Sequence, residues 1–169
     1  MGLENRANVT VEQLAAAVVG AEVRGQGEKG AEAVASSVMN RVDSSSGYTK
    51  DGLTQSGLSG KEATLLKVIS AKDRNGNYQY EALGNNKTFI NTLLSGGGSA
   101  GEKAEYSKAS THISGRIAGT ATDVVDGRKS YRSNNATRNP GHAKSHSTES
   151  IKGNPAKCFQ VGEHCFYIN

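Results

Sequence analysis

Apolar residues recur at helical spacing through the first third of the chain. A stripe that begins at Leu14 predicts a first helix from Leu14 to Val23, and Gly25 supplies a stop signal. Just before this helix, Thr10 and Gln13 stand three residues apart, as in a capping box. A second and more regular stripe predicts a helix from Glu28 to Val42.

Loop and helix patterns alternate after the second helix. Ser44 to Gly60 is rich in Ser, Gly and Thr and is expected to be a loop. Ser59 and Glu62 form another capping-box pattern, so a third helix should begin there, end near Lys72 and bury Leu65, Leu66, Val68 and Ile69. The other expected elements are a turn at Asp73 to Asn77, a short strand or extended loop at Tyr78 to Leu83, an apolar segment at Phe89 to Leu94, and a fourth helix from Glu102 to Ile117 closed by Gly119.

The last third of the chain has a different pattern. Short strands are predicted at Val124–Val125, Ser130–Tyr131 and Cys165–Ile168. The long polar stretch from Arg132 to Pro155 has no apolar period and is interpreted as a loop over the active-site side or a disordered segment. We therefore expect one mostly helical α+β domain over residues 1–169, with a small C-terminal β element.

The composition does little to narrow the class of binding partner. The net charge of +4 favours an anionic partner, which includes nucleic acid, a membrane surface and a cell wall. No segment is long and apolar enough to cross a membrane, and Met1 to Thr10 lacks the features of a secretory signal, so synthesis in the cytoplasm is expected. Cys158 and Cys165 are too few for a disulfide framework; reduced thiols are favoured over a disulfide between them.

Glu22 is the first chemical anomaly. It follows Val18 by four residues and Leu14 by eight, so it shares their apolar stripe. The ordinary interpretation is a surface carboxylate paired with Arg24 or Lys29. The functional interpretation is a carboxyl whose pKa is raised by burial, which keeps a proton ready for a glycosidic oxygen.

Four stretches carry a resemblance to a known family: Ala21-Glu22-Val23-Arg24-Gly25, Asn40-Arg41-Val42, Tyr131 after Gly127-Arg128-Lys129-Ser130, and the closing Val161-Gly162-Glu163-His164-Cys165-Phe166-Tyr167. They resemble the cell-wall hydrolase family that includes the bacterial spore cortex-lytic enzymes. These stretches lie toward the two ends of the chain, and the resemblance to the family is looser from Ser44 to Gly119. Gln26 stands where the family has Glu.

The resemblance implies a fold of the lysozyme and lytic transglycosylase type, acting on peptidoglycan glycan strands. It places the catalytic general acid at Glu22, which would protonate the leaving oxygen between N-acetylmuramic acid and N-acetylglucosamine. The muramoyl C6 hydroxyl could then attack and leave a 1,6-anhydro end, which needs one protein carboxyl; hydrolysis would need a second. The candidates for a second carboxylate are Glu28, Glu32 and Glu81.

Substrate contacts are expected from polar aromatic residues, since the chain has no Trp. The residues predicted to bind sugar are Gln79, Tyr80, Tyr131 and Tyr167. The segment from Val161 to Ile168 is expected to pack beside the first helix, with Tyr131 close to Glu22. Gln79-Tyr80 is the candidate in this chain for the Gln-aromatic pair of the family's middle region.

No cofactor and no metal site is expected. His142 and His146 are four residues apart, but their segment has no acidic residue and no H-E-x-x-H pattern. The rival class is a non-enzymatic basic protein of a phage particle, structural or in contact with DNA. A wall-cleaving domain without a signal sequence is consistent with carriage in a virion, beside other virion proteins, or with release at lysis.

Overall fold

The computed structural model describes residues 8–44, 47–133, 159–161 and 164–167. Within them it is mostly helical with a small antiparallel sheet, which confirms the expected mixed class with helices dominant. The elements are α1 (Val11–Glu22), α2 (Gly27–Ser44), α3 (Gly60–Ile69), α4 (Glu81–Asn85), α5 (Lys87–Leu94), α6 (Ala100–Ala118), β1 (Ser130–Ser133), β2 (Phe159–Val161) and β3 (His164–Tyr167). In the part of the chain described here, no helix combines the length and the apolar character that a membrane span requires.

The core lies where α1 and α2 meet α6. Small side chains allow close packing, and Ala15, Ala16 and Ala17 of α1 are fully buried. Gly20 allows α5 and α6 to approach α1, because a Cβ there would lie 3.0 Å from Leu93 Cδ1. The four predicted helices correspond to α1, α2, α3 and α6, and their ends differ from the predicted ends by no more than three residues.

Helix caps explain where two of these helices, α1 and α6, begin. The predicted capping box of α1 is confirmed, since the Thr10 hydroxyl and the Gln13 side chain each accept a backbone N–H. Ser99 and Glu102 form the same arrangement at α6, and Gly119 ends that helix in the left-handed conformation. The capping box predicted at Ser59 is wrong, because its side chain makes no cap hydrogen bond. The four residues expected to be buried on α3 are all buried.

The segment from Tyr78 to Leu94 is more helical than its pattern indicated. Tyr78 does form an isolated antiparallel bridge with Lys72, but the expected extended structure is wrong from Glu81 onward, where α4 begins. The physical reason is tertiary: Ala82 N–H donates to the carboxylate of Glu22, and Leu83 is buried in the core. Neither contact is visible in the local sequence.

The sheet has the strand order β1-β3-β2, with both pairings antiparallel. Strands were correctly predicted at Ser130–Tyr131 and within Cys165–Ile168, whereas a strand at Val124–Val125 is wrong. That dipeptide lies in a turn built on the Asp123 carboxylate, which accepts N–H groups of Val125 and Gly127. The strands β1 and β2 pack on α2. The expected extended segment from Val161 to Ile168 contains the end of β2 and the whole of β3, and its packing beside α1 stays a prediction.

Cys165 lies on the central strand β3 and is disulfide-bonded. The expectation of reduced thiols is therefore wrong for this residue. Its side chain is buried. The other cysteine of the chain, Cys158, lies outside the described residues, as do Arg132–Pro155 beyond Ser133 and both His142 and His146.

Candidate active site

Glu22 is the last residue of α1, and its carboxylate joins three parts of the fold. Oε1 accepts a hydrogen bond from Ala82 N–H at 2.8 Å, at the start of α4. Oε2 accepts from the Tyr131 hydroxyl at 3.3 Å, on β1. The predicted proximity of Tyr131 to Glu22 is therefore confirmed, although the two residues are 109 positions apart in sequence.

The environment of Glu22 raises the pKa of its carboxyl above the usual value. Burial is the largest cause, because it disfavours the charged form, and the nearby carboxylate of Glu81 acts in the same direction. The hydrogen bonds from Ala82 and Tyr131, and the positive charge of Arg41, act against this and favour the carboxylate. The net result is a carboxyl that keeps its proton to higher pH, with two donors already aimed at the carboxylate that forms when the proton leaves.

Tyr131 is held rigidly by other aromatic rings. Its ring packs edge-on against His164, with centroids 5.1 Å apart, and lies 5.6 Å from the ring of Phe166. Burial and the Glu22 carboxylate raise the pKa of Tyr131 well above its usual range, so the phenol remains a hydrogen-bond donor. His164 is buried as well, which lowers its pKa to about 4 and leaves it neutral near pH 7.

Asn40 and Arg41 on α2 fix the position of β1. Asn40 Nδ2 donates to the Arg128 carbonyl at 3.1 Å, and Arg41 Nε donates to the Lys129 carbonyl. These two carbonyls immediately precede β1, so the two side chains anchor the strand that carries Tyr131. The motif Asn40-Arg41-Val42 was recognised in the sequence, but the part its side chains play was not.

An open cavity of about 620 Å³ lies next to residues that surround Glu22, although Glu22 is not itself one of its lining residues. It is lined by Arg41 and Glu81, the two charged groups that act on the Glu22 pKa, and also by Gln79. Tyr78 adds a half-buried ring to its wall. A cavity of this size is typical of small-ligand sites.

The predicted sugar-binding residues occupy different positions. Gln79 lines the cavity, whereas Tyr80 is 1% exposed and belongs to the core, under the guanidinium of Arg41. Tyr80 therefore has no open ring face for a sugar in this conformation. The Tyr131 hydroxyl donates to the Glu22 carboxylate. Tyr167 pairs with Ser130 across the sheet, and the side chain of Tyr167 lies outside the described part.

The three candidates for a second carboxylate are also separated. Glu32 pairs with Lys108 at 3.2 Å on the α2–α6 side, and Glu28 is exposed in the first turn of α2. Glu81 lines the cavity and acts on the Glu22 pKa, so it is the candidate that the fold brings to the site.

Glu105 is a buried carboxylate that the sequence prediction missed. It is 2% exposed and accepts N–H groups of Gly25 at 3.2 Å and Gly27 at 2.6 Å, so it fixes the turn between α1 and α2. A signal existed, because Glu105 precedes Ala109 by four residues and Ile113 by eight, on the apolar stripe of α6.

Within the ranges that the structure describes, no group of three or more His, Cys, Asp or Glu side chains is arranged to hold a metal ion. Comparison with known proteins gave no matching family model, no similar curated protein and no similar solved structure. The site must therefore be interpreted from its own geometry.

Proposed function

We propose that this protein cleaves the glycan strands of peptidoglycan, with Glu22 as the general acid. The observation that carries the proposal is the Glu22 carboxyl itself. Burial raises its pKa, two hydrogen-bond donors hold it, and the Arg41 and Glu81 side chains that act on this pKa line an open cavity. A proton donor of this kind is what cleavage of a glycosidic bond requires.

In this proposal Glu22 transfers its proton to the glycosidic oxygen as the bond to the anomeric carbon breaks. The electron pair of that bond leaves with the protonated oxygen, and the positive charge develops on the sugar. The new carboxylate is stabilised by the Ala82 N–H and the Tyr131 hydroxyl. The bond to the anomeric carbon is then completed by the oxygen of water or of the muramoyl C6 hydroxyl, and that oxygen gives its proton to the Glu22 carboxylate, which restores the acid.

We also propose a lysozyme-like arrangement of the site, which the same geometry supports. A catalytic Glu at the end of a helix, with a small sheet folded over it, places the acid between a helical part and a β part. The family resemblance of the motifs around Glu22, Asn40-Arg41-Val42 and Tyr131 supports the peptidoglycan substrate. The disulfide at Cys165 is consistent with action outside the cytoplasm, because disulfides persist in oxidising compartments.

Replacement of Glu22 tests the assignment. Glu22→Gln keeps the side-chain volume but removes the transferable proton, so wall lysis in a turbidity assay should fall about a hundredfold to ten-thousandfold. The circular dichroism spectrum should not change. Glu102→Gln is a matched control, since Glu102 caps α6 and pairs with the exposed Arg24. Lysis above a tenth of the wild-type rate in the Glu22 variant would exclude Glu22 as the general acid.

A further inference from the structure

A disulfide fastens the small sheet that carries Tyr131. Cys165 is disulfide-bonded and 1% exposed, and it lies on the central strand β3, opposite Arg132 of β1 and Gln160 of β2. The chain has one other cysteine, Cys158, which directly precedes β2 in the sequence and lies outside the described residues. Cys158 is therefore the only partner that one chain can offer, and the bond ties the chain just before β2 to β3.

The sheet is small enough for this bond to matter. Its strands have four, three and four residues, and a sheet of this size is marginally stable without further support. The strands β1 and β2 pack on α2, whereas β3 lies between them and contributes the buried ring of Phe166 to the core. A disulfide restricts the conformations that the chain can otherwise adopt, so breaking it should weaken the pairing of β2 with β3.

Strand β3 in turn holds the hydrogen-bond donor of the candidate acid. His164 and Phe166 flank Cys165 on this strand, and their rings lie 5.1 and 5.6 Å from the ring of Tyr131, centroid to centroid. Side chains alternate along a strand, so these two rings share one face of β3 and Cys165 lies on the other. The Tyr131 hydroxyl donates to Glu22 at 3.3 Å. The disulfide can therefore act on Glu22 through β3 and Tyr131.

We infer that this disulfide is a redox switch for the site: the oxidised form holds Tyr131 against Glu22, and the reduced form releases it. The inference rests on the proposed function for the part that Glu22 plays. In the reducing step a dithiol breaks the S–S bond, and the protein gains two electrons and two protons and carries two thiols. The dithiol loses the same number of each and closes its own disulfide. Thiol reductants keep cysteines reduced in the cytoplasm, so the switch would restrain the site where synthesis is expected, and oxidation elsewhere would make it fully active.

The first experiment measures the Glu22 pKa by carbon-13 NMR of its side-chain carboxyl, with the signal assigned from the Glu22→Gln protein. The oxidised protein is compared with protein treated with dithiothreitol. Because the Tyr131 hydrogen bond lowers the Glu22 pKa, its loss on reduction should raise that pKa. Arg41, Glu81 and the buried phenol of Tyr80 neighbour this carboxyl in both forms. In Tyr131→Phe, which already lacks the donor, reduction should cause no further rise.

The second experiment measures wall lysis in the same two states. Reduction should lower the maximal rate about tenfold, as removal of the Tyr131 hydroxyl should, and reoxidation should restore it. Cys158→Ser keeps the buried Cys165 sulfur but cannot form the bond, so it should behave as the reduced protein and not respond to dithiothreitol. Tyr106→Phe is the matched control for Tyr131→Phe and should respond to reduction as the wild type does.

A Glu22 pKa that does not change on reduction, or measurable lysis at an equal rate in both states, would overturn the inference. An equal effect of reduction in the wild type and in Tyr131→Phe would also overturn it, since the disulfide would then support the fold rather than the acid. Loss of the helical circular dichroism signal on reduction would have the same meaning. Absence of wall cleavage in either state, with the pKa change intact and dependent on Tyr131, would instead count against the proposed function alone.

Discussion

Arg41 and Arg116 are both 9% exposed, but they lie in two different regions of the polar interior. Arg116 on α6 is surrounded by acceptors: Asp43 at 2.7 Å, Asn40 at 3.0 Å and Ser36 at 3.3 Å, with Asp123 at 3.9 Å. Arg41 has the Tyr48 and Tyr80 rings, one backbone carbonyl and the charge of the nearby Glu22 carboxylate instead, and it lines an open cavity. A buried charge surrounded by acceptors supports the fold, whereas a buried charge at an open cavity is the better candidate for contact with a ligand.

The two buried glutamates differ in the same way. Glu105 has both carboxylate oxygens occupied by backbone N–H groups and is closed off from solvent. Glu22 is held by one backbone N–H and one phenol, and the Arg41 and Glu81 side chains that act on its pKa line the cavity. We interpret Glu105 and Arg116 as groups that stabilise the fold, and we propose Glu22 as the group that acts on a substrate.

Removal of Arg116 should produce the largest effect on stability. Arg116→Met leaves Asp43 and Asp123 without their shared cation, so the free energy of unfolding should fall by about 3 kcal/mol, the lower end for a buried ion pair because Asp43 is partly exposed. The measurement is urea denaturation. Lys108→Met is the control, since its more exposed pair with Glu32 should contribute about 1 kcal/mol or less. A similar loss of unfolding free energy in both variants would contradict the interpretation of Arg116 as a group that stabilises the fold.

Removal of the Tyr131 hydroxyl should have a smaller effect, confined to activity. Tyr131→Phe deletes one donor to the carboxylate that Glu22 becomes, so the maximal rate of lysis should fall about tenfold. The same hydrogen bond lowers the Glu22 pKa, so its loss raises that pKa. Because a general acid must be protonated, the rate falls as pH rises through the pKa, and the alkaline limb should therefore move to higher pH.

The control for this variant is Tyr106→Phe on α6. Tyr106 is half-buried against the core and makes no hydrogen bond to Glu22, so its pH profile should match that of the wild type. An alkaline limb that moves to lower pH in Tyr131→Phe, or does not move, would show that the phenol does not hold the acid.

Local pattern predicted the helical part of the fold well, because helix periodicity and caps act over a few residues. Thr10 with Gln13 and the stripe of α2 are examples, and both were recognised. The helix α4 was missed because an amide of its first turn, Ala82 N–H, is satisfied by Glu22, 60 residues away. The turn at Val124–Val125 was missed because the Asp123 carboxylate, rather than strand pairing, satisfies the backbone there.

The candidate site was predicted in part for a similar reason. Glu22 was identified because a carboxylate stood on an apolar stripe, but Glu105 has the same signal and a different environment. Arg41 was recognised only as part of a motif, since the sequence does not show that its guanidinium lines the cavity and acts on the Glu22 pKa. Tyr80 was assigned to sugar binding by its position beside Gln79, whereas its ring is buried beneath Arg41. What distinguishes these residues is the set of partners, which only the fold supplies.

The most direct test of the central claim is mass spectrometry of the products from purified peptidoglycan digested by the wild-type protein. The account predicts soluble disaccharide-peptides, released by cleavage after N-acetylmuramic acid and absent when Glu22→Gln is used. Products with 1,6-anhydro ends are lighter by one water than products with reducing ends, so the same spectra identify the group that attacks the anomeric carbon. Release of free stem peptides with intact glycan strands, or no release at all, would contradict the claim that this protein cleaves glycan through Glu22.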